Sequence, residues 1–482
     1  MSRKRRSVSK AHVSEAGIRS EPLMSEKSRG ALIYVLIFLA AGIPFGLGKY
    51  FEFNSPGPFD SGAYVYSAKH ILDGARIGVD EKPSAQIGTL LVNMLGVKLF
   101  GFSDTGPKFV QMLMQLSALI LMFIVMRRLY GKGGAAIGVI IAAVYLSSPM
   151  IAKFGNVKEQ YMIACMVLGV CCFVLYRELG KWWLGVLSGF FLIWAPLFKP
   201  TGLSGLGGVG FFVLLSLLLK DISLRQFFKD ILLIAFGGVL CVGPLYIWII
   251  GWSVQMELPY SSIFRFAAGL FTSGSAEGSG YVGKSREAFD LGKQFPIVMR
   301  YYGVMILPIA MSLFAVILKL WRVLGRKVKI VGSGDPGDRY VLLFAAWWLL
   351  DMIFVWISPR SYEQYYLPLN ASAAMLAGYV VWRYMVNLSS GKVKAKWVVL
   401  GLGGIVCMIV MSWGIFFGIR TSPFSGQDYG QRQRGYSQKY SEISRFRKGQ
   451  LSMPWQQVGE FIKLNSTPED KIYVWGLSLI HI

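Results

Sequence analysis

The sequence predicts an all-α polytopic membrane protein, and three observations carry that prediction. Apolar side chains make up 54% of the 482 residues and charged ones only 16%, well short of the roughly 25% of an ordinary soluble domain. The apolar residues arrive in blocks of about 17–23, the length that crosses a hydrocarbon core. The remaining charge is a net +24 from 50 basic and 26 acidic residues. It collects on some of the segments between blocks and nearly cancels on others, the asymmetry that orients a chain in a bilayer. A soluble protein this basic would point to nucleic acid, but a mean hydropathy of +0.49 excludes that partner. Composition also excludes a disordered chain and a small disulfide scaffold.

Residues 1–30 form a basic tail with the run Arg3-Lys4-Arg5-Arg6, read as a cytoplasmic flank and not as a nuclear address. The first apolar block, 31–48, has no convincing cleavage site after it and is read as a retained helix. Further spans follow at 107–126, 134–150, 161–176, 182–198, 201–219, 231–251, 298–318, 340–358, 364–382 and 397–418, about eleven in all within a transmembrane domain 31–418. With the N-terminus cytoplasmic, the inner segments hold about 26 of the basic residues and about 8 of the acids. Inside is then net about +18, while the much longer outer segments total about +6, in accord with the positive-inside rule.

Three longer segments fall outside: a first loop 49–106, a loop 252–297 and a C-terminal segment 419–482. Within the first loop, 60–74 and 84–100 read as short helices lying in the interface. In the C-terminal segment, an amphipathic stretch precedes Thr467-Pro468-Glu469-Asp470 and the strand-like Lys471-Ile-Tyr-Val-Trp475. That order predicts the opening of a small αβ unit, truncated near Gly476. Residues 477–482 read as non-native, and His481 receives no role.

Two motifs mislead. Gly278-Ser-Gly-Tyr-Val-Gly283-Lys284-Ser285 satisfies the phosphate-loop pattern, which works only between a strand and a helix of an αβ sheet. In a Gly/Ser-rich outer loop it reads as a chance match. The run Gly205–Gly210 reads as a place where membrane helices approach closely, not as a dinucleotide fingerprint. The five cysteines, Cys165, Cys171, Cys172, Cys241 and Cys407, all sit in apolar blocks without metal-ligand spacing.

Ionisable groups at a membrane face point by default to function. Four clusters gather on the outer face: Phe59-Asp60-Ser61-Gly62-Ala63-Tyr64, Asp80-Glu81-Lys82-Pro83, Asn156-Val157-Lys158-Glu159-Gln160-Tyr161 and Pro359-Arg360-Ser361-Tyr362-Glu363-Gln364-Tyr365-Tyr366. Lys199-Pro200 marks another outer turn, and Asp351 lies inside the ninth span, as a functional group or a tie for a buried polar partner.

The run Asp60-Ser-Gly-Ala-Tyr…Ile71-Leu-Asp-Gly74…Glu81-Lys82-Pro83…Leu99-Phe-Gly101 resembles the first outer loop of the GT-C glycosyltransferases. The likeness is strongest to bacterial enzymes similar to protein O-mannosyltransferases and lipid A aminoarabinose transferase. It extends to the acid of the second loop, the Tyr-Tyr-Leu-Pro opening of the tenth span and the outer C-terminal segment. It implies a GT-C fold in a bacterial plasma membrane, with the N-terminus cytoplasmic and the C-terminus outside. It also implies a polyprenyl-phosphate sugar donor and a lipid, glycan or protein acceptor.

Residue by residue, the resemblance makes Asp60 the general base and Glu159 the second-loop acid, where relatives usually carry Asp. Lys82, joined by Arg360, contacts the donor phosphate, and Gln364 stands where relatives often carry His. Tyr64, Glu81, Lys199, Glu363 and Tyr365 complete the candidate site, and Asp60 with Glu159 are the candidates to hold a divalent cation.

The chemistry needs such groups on its own terms. A hydroxyl acceptor needs a base, and a departing phosphate needs positive charge from Lys, Arg or a cation. A single in-line displacement inverts the anomeric carbon. The competing readings are a transporter or flippase of lipid-linked sugars, which places ionisable groups at the midplane and repeats its halves, and a non-catalytic scaffold, which has no need of convergent acids.

Overall fold

A computed structural model describes residues 26–54, 59–77, 80–81, 85–148, 155–253, 306–325, 336–357, 363–389 and 454–467, with Arg445 and Gly449. Lys82, Arg360, the phosphate-loop look-alike, the span 397–418 and the strand expected after Thr467 lie outside the described residues, and Glu363 is described only in its backbone.

The described chain is helical: α1 Glu26–Asn54, α2 Phe59–Leu72, α3 Ile87–Phe100, α4 Thr105–Ser147, α5 Lys158–Leu179, α6 Trp182–Phe198, α7 Leu203–Leu218, α8 Leu224–Ser253, α9 Ile306–Leu324, α10 Pro336–Arg339, α11 Val341–Ile357, α12 Pro368–Ser389 and α13 Pro454–Asn465. Among the described residues the only β pairing is an isolated bridge between Ile77 and Glu81. Five of these helices or helical stretches are long and apolar enough to cross a membrane, and α3 and α6 are shorter apolar helices.

Within the described residues a helix runs through each apolar block predicted up to 382, with one difference in form. The two spans 107–126 and 134–150 are arms of α4, which meet at Gly131 with φ +70°. The charges of 127–133 read as a loop, yet Arg and Lys are good helix formers. One glycine at positive φ, which has no Cβ to clash there, supplies the whole break.

Packing follows from where the apolar surface goes. α5 is buried on nearly every face from Glu159 to Tyr176 and is flanked by α4, α6 and α7. The outer helices keep one apolar face uncovered: Leu36 and Phe38 on α1, Leu116 and Ile120 on α4, Leu232 and Phe236 on α8, Phe314 and Ile317 on α9. In water such a belt would be a liability; against hydrocarbon it is the proper solvent-facing surface.

The Gly205–Gly210 run seats α7 on α5 and α11. A Cβ on Gly208 would lie 2.9 Å from the Trp347 Cβ, whereas one on Gly210 would meet nothing within 4 Å. Gly208→Val is therefore expected to lower stability by about 1–3 kcal/mol through overpacking. Gly210→Ala should be neutral, and thermal unfolding in detergent reads both.

The two ends of the bundle differ. At one end acids and arginines pin helices together: Asp230 takes Arg177 and the Tyr176 hydroxyl, Asp338 takes Arg322 and Tyr379, and Glu178 takes Arg339 and Tyr340. The acids and arginines come from the segments read as cytoplasmic, and the tyrosines from the adjoining ends of spans. The opposite end carries α2, α3, the turn before α5, the turn between α6 and α7, and the start of α12.

Candidate active site

At that second end, α2 begins at Phe59, so Asp60 falls in its first turn, where a carboxylate meets the positive end of the helix dipole. Asp60 is exposed, while Ser61 is buried. The Ser61 hydroxyl accepts a hydrogen bond from Asn156 Nδ2 at 2.7 Å. Asn156 also exchanges amide hydrogen bonds with Asn93 at 3.0 and 3.3 Å and accepts one from the Tyr161 hydroxyl at 2.9 Å. Its φ of +53° lies in the left-handed region that Asn tolerates better than most residues. The start of α2 is thereby tied to the start of α5. Lys158 Nζ stands 5.7 Å from the centroid of the buried Tyr64 ring, a second contact between the same two elements.

One residue further, Glu159 is buried and accepts a hydrogen bond from Lys199 Nζ at 2.8 Å. Lys199 sits between α6 and the single-turn 3₁₀ helix Pro200–Gly202. Its Nζ also lies 3.1 Å from the centroid of the Tyr365 ring. Burial pulls the Lys199 ammonium below its ordinary value, and the Glu159 carboxylate opposes that pull. Glu159, Lys199, Thr201, Asp351, Tyr365 and Pro368 line one cleft. Asp351 is buried; Ser204 donates to it at 2.5 Å and Ser372 at 3.1 Å. The Gln364 side-chain carbonyl is buried with no hydrogen-bond partner among the described residues.

The structure thus joins three of the four sequence clusters: Asp60–Tyr64 to Asn156–Tyr161 by direct contact, and the latter to Tyr365 through Lys199. The remaining cluster packs back onto α2. Glu81 accepts from Ser67 at 2.7 Å and pairs with His70 Nδ1 at 2.8 Å. Arg76 donates to Asp80 at 2.7 Å, and that hydrogen bond holds the Asp80 carboxyl down at about 2. Glu81 therefore holds its part of the loop against α2 and Asp80 is paired with Arg76, whereas Asp60 is exposed at the start of α2.

A further buried network had no sequence signal. Glu52, near the end of α1, is paired with Lys49 at 2.6 Å and accepts from Gln111 and Gln160, each at 3.2 Å. Gln111 in turn accepts from the Val157 backbone N–H at 3.1 Å. It supports the turn that presents Lys158 and Glu159.

The donor set does not favour a metal at Asp60 and Glu159. Among the described residues no three His, Cys, Asp or Glu side chains gather to hold an ion, and one oxygen of Glu159 is taken by Lys199.

Residues 87–248 match the family profile described as dolichyl-phosphate-mannose-protein mannosyltransferase. The fold is shared with ArnT from Cupriavidus metallidurans bound to undecaprenyl phosphate, at TM-score 0.55 and 16% identity over 94% of this chain and 84% of that one. The same enzyme in the apo state gives TM-score 0.55 at 17% identity over 94% and 84%. The oligosaccharyltransferase AglB from Archaeoglobus fulgidus, in complex with an inhibitory peptide and a dolichol-phosphate, gives 0.53 at 13% identity over 92% and 59%. No curated protein matches in sequence.

Proposed function

We propose that this chain, which has the fold of the GT-C membrane glycosyltransferases, transfers a sugar from a polyprenyl-phosphate carrier to a hydroxyl acceptor. The single observation that supports this most is the joining of the first-loop start, the second-loop acid and the opening of α12 at one end of a lipid-facing bundle. A water-soluble acceptor and a membrane-bound donor can meet only at such an end. ArnT is known bound to undecaprenyl phosphate and AglB in complex with a dolichol-phosphate, the carrier chemistry this reading requires.

In the proposed reaction Asp60 takes the proton of the acceptor hydroxyl as its oxygen bonds to the anomeric carbon. The bond from that carbon to the phosphate oxygen breaks, the configuration inverts, and the carrier leaves as polyprenyl phosphate. Lys82 and Arg360 stabilise the charge that develops on the phosphate, and Lys199 contributes from the cleft wall. Glu159 then acts chiefly as the counter-ion that keeps Lys199 buried and charged, with Glu81 bracing α2 through Ser67 and His70 and Tyr64, Gln364 and Tyr365 shaping the site. Glu363 is kept as a candidate at its rim.

A transporter would carry its ionisable groups near the midplane. Asp351, the deepest candidate, is six residues from the end of α11, about 9 Å of helical rise. That depth belongs to the floor of an end-located site.

The proposed orientation places this end outside and the N-terminus in the cytoplasm of a bacterial plasma membrane. Reporter fusions after residue 418 should then be active outside the cell, and cytoplasmic reporter activity there would reverse the assignment. The function is tested with purified protein in proteoliposomes offered undecaprenyl-phosphate sugars and a crude periplasmic acceptor fraction. Release of free carrier phosphate with sugar transfer is expected, and donor movement across the bilayer without cleavage would favour the flippase.

A further inference from the structure

We infer that Asp351 is a specificity-determining residue, which binds a hydrogen-bond donor group of the transferred sugar; this rests on the glycosyltransferase reading above. Asp351 and the Lys199–Glu159 pair line the same cleft, although they come from α11 and from the elements around α5. The carboxylate is 2% exposed and its two partners, Ser204 and Ser372, are neutral hydroxyls. No cation pairs with it among the described residues. Burying a carboxyl group without a cation is expensive, and a tie between two serines needs no acid, because an amide would serve. A carboxylate offers about four acceptor positions, so the two serine bonds leave capacity for a ligand.

The cleft is also polarised along its length. Lys199, in the turn before the 3₁₀ helix, supplies the cleft's positive charge, shared with Glu159; Asp351, six residues before the last described residue of α11, accepts hydrogen bonds. Phe354 and Val355, on the same face of α11, give the intervening wall apolar character. A sugar phosphate has this sequence of chemistry: an anionic group, a carbon ring and hydroxyl or ammonium donors. With the phosphate toward Lys199, a donor group of the ring meets Asp351 once the cleft, whose free volume of about 20 Å³ holds one water, widens to take the ring.

Asp351→Asn keeps the size and the serine contacts and removes the full acceptor. The full-length chain in nanodiscs is titrated with undecaprenyl phosphate and with the same carrier bearing mannose, glucose, arabinose or 4-amino-4-deoxyarabinose. The unaltered protein should bind at least one sugar-bearing lipid more tightly than the bare carrier. Asp351→Asn should erase roughly tenfold or more of that preference, the loss of one charge-assisted hydrogen bond, and leave bare-carrier affinity unchanged.

Ser204→Ala with Ser372→Ala, which keeps the carboxylate, should retain the preference and serves should the Asn variant not fold. Equal weakening of bare and sugar-bearing lipids, or no change in the preference, overturns the assignment, as does an unaltered protein that binds no sugar-bearing lipid better than the carrier. Transfer measured on the same samples is a separate readout: absent turnover with an intact Asp351-dependent preference counts against the enzyme reading and not against the subsite.

Discussion

Asp60→Asn should lower sugar transfer by roughly 10²–10⁴-fold, the range a positioned general base contributes, while the protein inserts, purifies and melts as the unaltered chain does. The expectation rests on a division of labour between neighbours. Asp60 is exposed in the first turn of α2. Ser61 beside it is buried and carries the tie to Asn156. Removing the Asp60 charge leaves that tie in place, so the donor should still bind and kcat should fall more than KM rises. Ser61→Ala is the informative contrast, because it strips the buried tie and should reduce stability and transfer together. Undiminished turnover by Asp60→Asn in reconstituted protein would remove Asp60 from the mechanism.

Lys199→Met should be the most damaging single change for stability. Glu159 is 2% exposed, and Lys199 is the cation it touches at 2.8 Å. Removing one member of a buried pair leaves an uncompensated charge, an effect of about 3–5 kcal/mol. The double variant Glu159→Gln, Lys199→Met should recover much of that loss, since a buried pair is often replaceable by neutral groups of similar size. Transfer should not recover with it, because the cation of the cleft is gone. Thermal unfolding and transfer measured across the four proteins of this cycle separate the two roles. If Lys199→Met is neutral for both, the pair is neither a support nor part of the site.

Much of this architecture is legible in the sequence because bilayer physics is one-dimensional. Apolar block length marked the helices, the helical spacing of polar positions at 60–74 marked α2, and the apolar, charge-poor run 84–100 marked α3. The small residues of 205–210 marked a helix seam, which Trp347 fills. The site was legible as a set of polar runs at block ends, since a chain that crosses repeatedly brings alternate ends to one face.

What escaped is whatever depends on register between distant helices. Gln111 lies within an apolar block and Gln160 within the second-loop cluster, and their shared partner Glu52 is 59 and 108 residues away. Asp351 is placed inside the ninth span by counting, but its meeting with Lys199 and Tyr365 in one cleft depends on how α11 packs beside the turn after α6. The Arg127–Gly133 stretch reads as a loop because charge, and not backbone propensity, dominates its appearance.

The contrast between the two ends of the bundle has a consequence for ionic strength. The end with α2 is fastened to α5 by uncharged groups, the Asn156 carboxamide with Ser61, Asn93 and Tyr161, which salt does not screen. The other end relies in part on solvent-accessible ion pairs, with the Arg339 side chain 35% exposed against Glu178 and that of Arg128 48% exposed, and such pairs weaken as the Debye length shortens. Concentrated salt should therefore loosen those helix ends, and the exposed Lys69–Asp73 and Arg76–Asp80 pairs of the first loop, while the fastening around Asp60 and Asn156 outlasts them.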